Sequence, residues 1–210
     1  MKFEAVRNRV TRVVGILAPS LFVASFLLQG MRKGYDPRLQ FVSELSIGQF
    51  GWLQMTTFFV AGAGFLVFGF LLARRRGESR MGPTFFIVMG ICLAASGVFT
   101  TDPAAMFDQT STAGVIHGLL GAVVFTLFPV ICFVYCRELR KVGQLRAAVL
   151  TFITGILLVV GIAVLKASEL STGPLFEVKG LIQRVILVLF MAWSAAFAVI
   201  RTGQDANLSS

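Results

Sequence analysis

The chain has 210 residues, of which 56% are hydrophobic and only 14% are charged, and its mean hydropathy is +0.83. These values lie far from the averages of soluble globular domains, so they exclude an ordinary soluble enzyme and indicate an integral membrane protein. The formal net charge is +9, and the placement of the basic residues decides whether nucleic acid or a membrane accounts for it.

Six apolar runs divide the chain, and each is near the roughly 20 helical residues that cross a ~30 Å hydrocarbon core. They cover about residues 13–31, 52–73, 83–99, 113–136, 147–165 and 181–200. The first run begins like a signal peptide, but Pro19 lies within it and no A-x-A cleavage site follows, so we interpret it as a retained span. The sequence therefore predicts an all-α bundle of six transmembrane helices that forms a single domain over residues 1–210.

Basic residues are distributed unevenly between the two sides of this predicted bundle. Thirteen of the nineteen Lys and Arg residues fall on the side of the two termini, and six fall on the other side. The positive-inside rule then predicts that both termini are cytoplasmic. No aromatic interleaving or recognisable binding module accompanies the basic residues, so we expect contact with anionic lipid and no nucleic-acid partner.

The opposite, outer side carries the longer loops, at about residues 32–51, 100–112 and 166–180. In the first of these, Asp36-Pro37 is typical of a helix N-cap followed by proline at the first helical position. This predicts a short helix over Arg38 to Ile47 that lies at the interface. We expect the loop to form an ordered wall over the helix ends, with Glu44 pointing into the bundle.

Ionisable residues also enter the outer ends of two spans. Counting ~1.5 Å per residue from Thr112, His117 lies roughly 7 Å below the mouth of span four. Glu177 and Arg184 are two helical turns apart and share a face, with Gly180 leaving a notch between them. Because an ionisable group at such depth is costly unless it faces protein, water or a partner, these residues predict an outward-opening polar pocket.

The expected pocket combines residues from four segments: Glu44, Asp102, His117 and Arg184, with Gln183 and Glu177 beside them. Arg184 is the expected anchor, because a guanidinium can hold a carboxylate or phosphate with two parallel hydrogen bonds. Either Arg184 or Lys179 would meet an anionic group, while Glu44 or Asp102 would meet an amine or hydroxyl. The mixed charges suit a zwitterionic or anionic head group.

Structural roles are the main alternative, in which Arg184 snorkels or locks the spans together and His117 bonds a neighbouring backbone. A metal held by His117 with Asp102, Asp108 or Glu44 is a further alternative, since imidazole and carboxylates suit zinc. A hydrolase using Ser43 or Ser111 as nucleophile is another, although no nucleophile-elbow sequence supports it. The cofactor, the ligand's identity and the oligomeric state remain open.

Small residues recur at helical spacing in spans two to four. They include Gly62-Ala63-Gly64 in span two, Gly90, Ala94 and Gly97 in span three, and Gly114, Gly118 and Ala122 in span four. This pattern predicts close helix contact at these faces.

Four short motifs in order resemble a known family: Ser43-Glu44-Leu45, Phe99-Thr100-Thr101-Asp102-Pro103, His117-Gly118 and Gly180-Leu181-Ile182-Gln183-Arg184. Together they resemble the six-span prokaryotic membrane proteins catalogued as domain of unknown function 998. The resemblance implies a six-span fold in a prokaryotic inner (cytoplasmic) membrane and no established reaction. Family members often carry a further histidine after the His-Gly pair, where this chain has Leu119-Leu120-Gly121, so a shared metal site is not implied.

Two functional classes follow from the predicted pocket. In the first, the protein is a receptor, carrier or accessory protein that binds a lipid or small amphiphile. In the second, it is a membrane-embedded enzyme, such as a metal-dependent hydrolase, that acts on a lipid-like substrate.

Overall fold

The computed structural model describes residues 2–75, 79–103 and 110–208 of the chain. Its α-helices are α1 (Lys2–Gln29), α2 (Gly51–Ala73), α3 (Met81–Ser96), α4 (Thr112–Lys141), α5 (Leu145–Glu169) and α6 (Lys179–Leu208). Two short 3₁₀ helices, Val42–Ser46 and Phe176–Val178, lie in the connections before α2 and α6. The predicted all-α membrane bundle is confirmed.

Five of the six helices are long and apolar enough to cross a membrane, and α3 is the shorter one. Its 16 residues rise about 24 Å, which is less than the ~30 Å hydrocarbon core. The other helices mostly extend beyond their apolar runs, as α4 does by continuing to Lys141. Hydropathy marks the membrane core, whereas helical hydrogen bonding continues into the polar flanks, so the two kinds of boundary differ.

The helices pack in a ring in chain order, and α6 closes the ring against α1. Aromatic side chains of α6 fill its centre: Phe190 stacks on Phe128 of α4 at 4.0 Å between ring centroids, and Phe197 lies 4.2 Å from Tyr135. Such pairs contribute about 0.5–1.5 kcal/mol each beyond their buried area. Since the middle of the ring is filled, the ends of the bundle are where a polar site can form.

Small residues allow α2 and α3 to approach closely. A Cβ atom placed on Gly62 would lie 2.6 Å from the carbonyl oxygen of Gly90 and 2.5 Å from the amide nitrogen of Ala94. The predicted contact is therefore confirmed for these two spans. In span four the chain itself supplies no such contact, since Gly118 and Ala122 are exposed and nothing lies within 4 Å of a Cβ on Gly118. Small residues indicate that a close approach is allowed, but they do not place a neighbour on that face.

The chain runs up and down the bundle, so residues 30–50, 97–103, 110–111 and 170–178 share one end, termed here the loop end. The two termini and the connections after α2 and α4 share the opposite end, termed the terminal end.

Candidate functional site

The first outer loop starts with a turn closed by Asp36. Its carboxylate accepts a hydrogen bond from the Arg38 amide at 2.8 Å, and its carbonyl accepts one from the Gln40 amide at 2.8 Å. The predicted helix over Arg38 to Ile47 is wrong in its first half, since only Val42–Ser46 is helical. The physical reason is that the carbonyl groups of Pro37, Arg38 and Gln40 accept hydrogen bonds from α6 and not from amides of their own loop.

Arg184 makes most of those bonds. Its Nη1 donates to the carbonyl oxygens of Pro37 (2.8 Å), Gln40 (2.8 Å) and Gly180 (2.9 Å), while its Nη2 donates to the phenol of Tyr35. The side chain is only 7% exposed. In the structure, Arg184 therefore holds the first outer loop against the start of α6.

Backbone groups at the start of α6 complete this docking. The Arg38 carbonyl accepts hydrogen bonds from the amides of Gly180 (2.8 Å) and Leu181 (3.3 Å), which satisfies donors that a helix N-terminus leaves free. The side-chain oxygen of Gln183 accepts a hydrogen bond from the Val42 amide at 2.8 Å. The loop is thus an ordered wall over the helix ends, as the sequence predicts.

Glu44 lies on the inner side of this wall and is 6% exposed. Its Oε1 accepts a hydrogen bond from the Phe41 amide at 2.8 Å, which caps the short 3₁₀ helix that contains Glu44 itself. Its Oε2 lies 3.5 Å from the side-chain nitrogen of Gln40. These contacts fix the direction of the carboxylate.

Asp102 fixes the start of α4. Its two carboxylate oxygens accept hydrogen bonds from the backbone amide and the hydroxyl of Ser111, each at 2.8 Å. The Ser111 hydroxyl in turn accepts a hydrogen bond from the Gly114 amide at 3.0 Å and so serves as the N-cap of α4. A Cβ on Gly114 would overlap the Asp102 carboxylate, so a larger residue there would displace that carboxylate from Ser111.

His117 is 8% exposed, and its Nδ1 lies 2.7 Å from the carbonyl oxygen of Phe99, three residues after the end of α3. Its ring packs edge-on against Phe58 with centroids 5.9 Å apart. Asp108, the other expected metal candidate in this loop, lies outside the described residues. Within residues 2–75, 79–103 and 110–208, no three His, Cys, Asp or Glu side chains are grouped so as to hold a metal ion.

Four segments line an open cavity of about 270 Å³ at the loop end. The residues that line it are Phe41, Glu44, Thr101, Asp102, Glu169, Phe176 and Lys179. The cavity therefore brings together Glu44 and Asp102, two of the six expected pocket residues. Arg184 and Gln183 support its wall from α6 without lining it, His117 bonds the segment that precedes Asp102, and Glu177 is exposed.

Lys179, which the sequence offers beside Arg184 as the partner of an anionic group, is the cation that lines this site. It is 3% exposed, and its Nζ lies 3.8 Å from the ring centroid of Phe176 and 5.3 Å from that of Phe41. Glu44 and Glu169 interact electrostatically with it. In the sequence, its position beside Gly180 at the start of span six indicates that it lies near the pocket. Nothing in the sequence shows that its ammonium group points into the cavity.

A ring of six helices, five of them apolar enough to cross a bilayer, with a polar cavity at one end, defines a multi-pass helical membrane protein. The family model described as protein of unknown function (DUF998) matches residues 16–200, and the chain belongs to that family. The match confirms the resemblance that the four short motifs carry. No curated protein and no solved structure matches the chain.

Proposed function

We propose that the protein binds the polar head of a lipid or other small amphiphile in the loop-end cavity, as a receptor, carrier or accessory protein. The observation that carries the proposal is the cavity itself. It joins carboxylates, an ammonium group and two aromatic rings from four separate segments at the end of a membrane bundle.

The volume of the cavity favours a head group over a whole lipid. At ~30 Å³ per water molecule, 270 Å³ corresponds to roughly nine waters. Pockets for drug-sized ligands usually hold ~300–1,000 Å³. A compact polar head fits inside, and the apolar part of the ligand remains at the mouth beside the helix ends and lipid.

The alternative of an embedded hydrolase has less support from the same residues. Ser111 and Asp102 bond to each other in a helix cap, and the Nδ1 of His117 faces a backbone carbonyl. These groups are engaged in holding the loops in place, which favours a binding role for the cavity they surround.

Charge placement supports an outward-facing cavity. Six of the nineteen basic residues lie in the loops of the loop end or in the helix ends beside them, and the positive-inside rule assigns the more basic side to the cytoplasm. The family resemblance favours a location in the cytoplasmic membrane of a prokaryotic cell, and in the proposed orientation the cavity would open away from the cytoplasm.

A cavity-filling substitution tests the proposal. Thr101→Phe places a ring among the lining residues, whereas Thr172→Phe adds the same ring at an exposed position of the same end. We expect native mass spectrometry of the purified protein, offered a panel of lipids with different heads, to show a bound amphiphile in the wild type and Thr172→Phe but not in Thr101→Phe. Equal retention by both variants, or no specific retention by the wild type, would overturn the proposal.

A further inference from the structure

Lys179 is a buried residue whose ammonium group faces the cavity and has no acceptor among the described residues. No hydrogen bond or salt bridge joins its Nζ to any residue of the described part of the chain, although 97% of the residue's surface is covered. An ammonium group has three donors, and because Lys179 lines the cavity and its Nζ is not among the fully covered side-chain atoms without a partner, these donors are open to water or to a ligand in the cavity. The two nearby rings attract the ammonium through their negative faces but accept no directed hydrogen bond.

The carboxylates around the cavity, in contrast, already have partners. Glu44 accepts from the Phe41 amide, Asp102 accepts twice from Ser111, and Glu169 accepts from the exposed Lys166 at 2.7 Å. The group whose hydrogen-bonding capacity remains open to a ligand is therefore the cation, and what it can bind is a hydrogen-bond acceptor.

A purely anionic ligand does not match the charges that line the cavity. Three carboxylates and one ammonium line the cavity, so a lone phosphate or carboxylate would gain Lys179 but meet the repulsion of Glu44 and Asp102. A purely cationic ligand would leave Lys179 unmatched and add a second positive charge beside it. A head group that carries both charges can pair with the Lys179 ammonium and with the carboxylates of Glu44 and Asp102.

Resting on the proposed function, we infer that the ligand has a zwitterionic head whose anionic group binds the Lys179 ammonium and whose own ammonium lies beside Glu44 and Asp102. Arg184 is not the anchor, because its Nη1 and Nη2 donate to three backbone carbonyls and the Tyr35 phenol. The chemistry is that of a phosphoethanolamine or similar head, borne by a lipid or free in water.

Three probes with the same alkyl chain separate the charge requirements: dodecyl phosphoethanolamine, dodecylamine and dodecyl phosphate. Binding of each to the protein in nanodiscs is measured by calorimetry, with the Thr101→Phe protein as the blank for non-specific partitioning. Lys179→Met removes the ammonium but keeps an unbranched side chain, and Lys33→Met is the matched control at an exposed lysine of the same end.

We expect the wild type to bind the zwitterionic probe most tightly. Lys179→Met should weaken that binding roughly ten- to hundredfold, the value of a charge-assisted hydrogen bond, while dodecylamine binds as well as before or better. Lys33→Met should behave as the wild type. A general loss of folding would weaken all three probes alike and would not change the order of their affinities. The thermal unfolding midpoint of Lys179→Met should be no lower than that of the wild type.

Unchanged affinity of Lys179→Met for the zwitterionic probe, or tightest wild-type binding of dodecyl phosphate, would overturn the inference while the proposed function stands. Failure of all three probes to bind above the Thr101→Phe blank would overturn both. If free phosphoethanolamine binds as tightly as its dodecyl form, this would support the inference of a zwitterionic head and overturn the proposal that the ligand is an amphiphile.

Discussion

Arg184 donates hydrogen bonds to four acceptors, and three of these belong to the first outer loop. A guanidinium presents five donors in a fixed plane, so it can bind several carbonyls that point toward one place. Among the residues that the structure describes, its charge is stabilised by carbonyl dipoles, and no carboxylate forms a salt bridge with it. The role of Arg184 is therefore structural, since it holds in place the loop that positions Phe41 and Glu44 at the cavity.

Replacing Arg184 with Gln should release the first outer loop. The change leaves buried carbonyls unmatched, and we expect a loss of about 3 kcal/mol in the free energy of unfolding. Limited trypsin digestion should then cut after the exposed Arg38, where the wild type resists. Arg146→Gln, on the exposed surface of α5, is the control, and equal resistance of all three proteins would contradict this role for Arg184.

The phenol of Tyr35 is the link in this arrangement that responds to pH. It donates to the Phe41 carbonyl at 2.8 Å and accepts from Arg184. Burial raises the pKa of Tyr35, and the charge and hydrogen bond of Arg184 counteract only part of that effect. Because the folded pKa is raised, the fold favours the neutral phenol, so its contribution to stability is complete below about pH 10 and is lost as the pH rises through the folded pKa.

Spectroscopic titration checks this prediction. The tyrosinate absorbance of the wild type minus that of Tyr35→Phe isolates this one residue, because Tyr135 is the only other tyrosine of the chain. We expect a midpoint above about 10 in the folded protein and a fall to the ordinary value in denaturant. A midpoint at or below the ordinary value in the folded protein would show that the phenol is solvated and the loop is not docked.

The sequence indicates which of these residues matter more clearly than it indicates what they bind. Glu44, Asp102 and Arg184 are conspicuous because they are charged residues next to apolar runs. Their partners are largely backbone groups, as for Arg184 and the Pro37 carbonyl, and a backbone carbonyl leaves no signal in the sequence. Lys179 was visible as a charge, but its inward direction depends on how the loops before α6 fold.

At the scale of elements, the first outer loop and the start of α6 form one unit. The loop supplies carbonyls that cap the helix, and the helix supplies Gly180, which has no Cβ to block the approach. A Cβ at Gly180 would lie 2.5 Å from the Gln40 carbonyl oxygen, 2.7 Å from that of Pro37 and 2.8 Å from that of Arg38. Backbone atoms held by several hydrogen bonds cannot easily move aside.

A pair of identical substitutions tests this unit. Gly180→Ala should destabilise the protein by about 1–3 kcal/mol, the usual cost of overpacking, and should free the loop. Gly118→Ala, where nothing lies within 4 Å of the added carbon, should stabilise α4 by about 0.5–1 kcal/mol. Thermal unfolding in detergent gives both values, and a Gly180→Ala protein as stable as the wild type would contradict the close docking.

Elements inside the membrane were far more predictable than those in the loops. Each span follows from a run of about 20 apolar residues, a signal set by bilayer thickness alone. The loop helix was misplaced because Asp36-Pro37 closes a turn whose next carbonyls bond α6, a tertiary contact that local capping rules do not contain.

At the scale of the whole molecule, the asymmetry of basic residues predicts the orientation. A reporter enzyme that is active only in the cytoplasm should be active when fused after Ser210 and inactive when inserted after Lys33 in the first outer loop. The opposite pair of activities would place the cavity on the cytoplasmic side and would remove the outward-facing part of the proposed function.

The central claim is that the loop-end cavity binds the head of an amphiphile. Photo-crosslinking tests this claim most directly, with a zwitterionic lipid that carries a photoreactive group in its head. Peptide mapping after irradiation in nanodiscs should place the label on segments 41–44, 101–102 and 169–179, and Thr101→Phe should abolish it while Thr172→Phe leaves it intact. Label spread along the lipid-facing surface of α5 or concentrated at the terminal end, and insensitive to Thr101→Phe, would contradict the account.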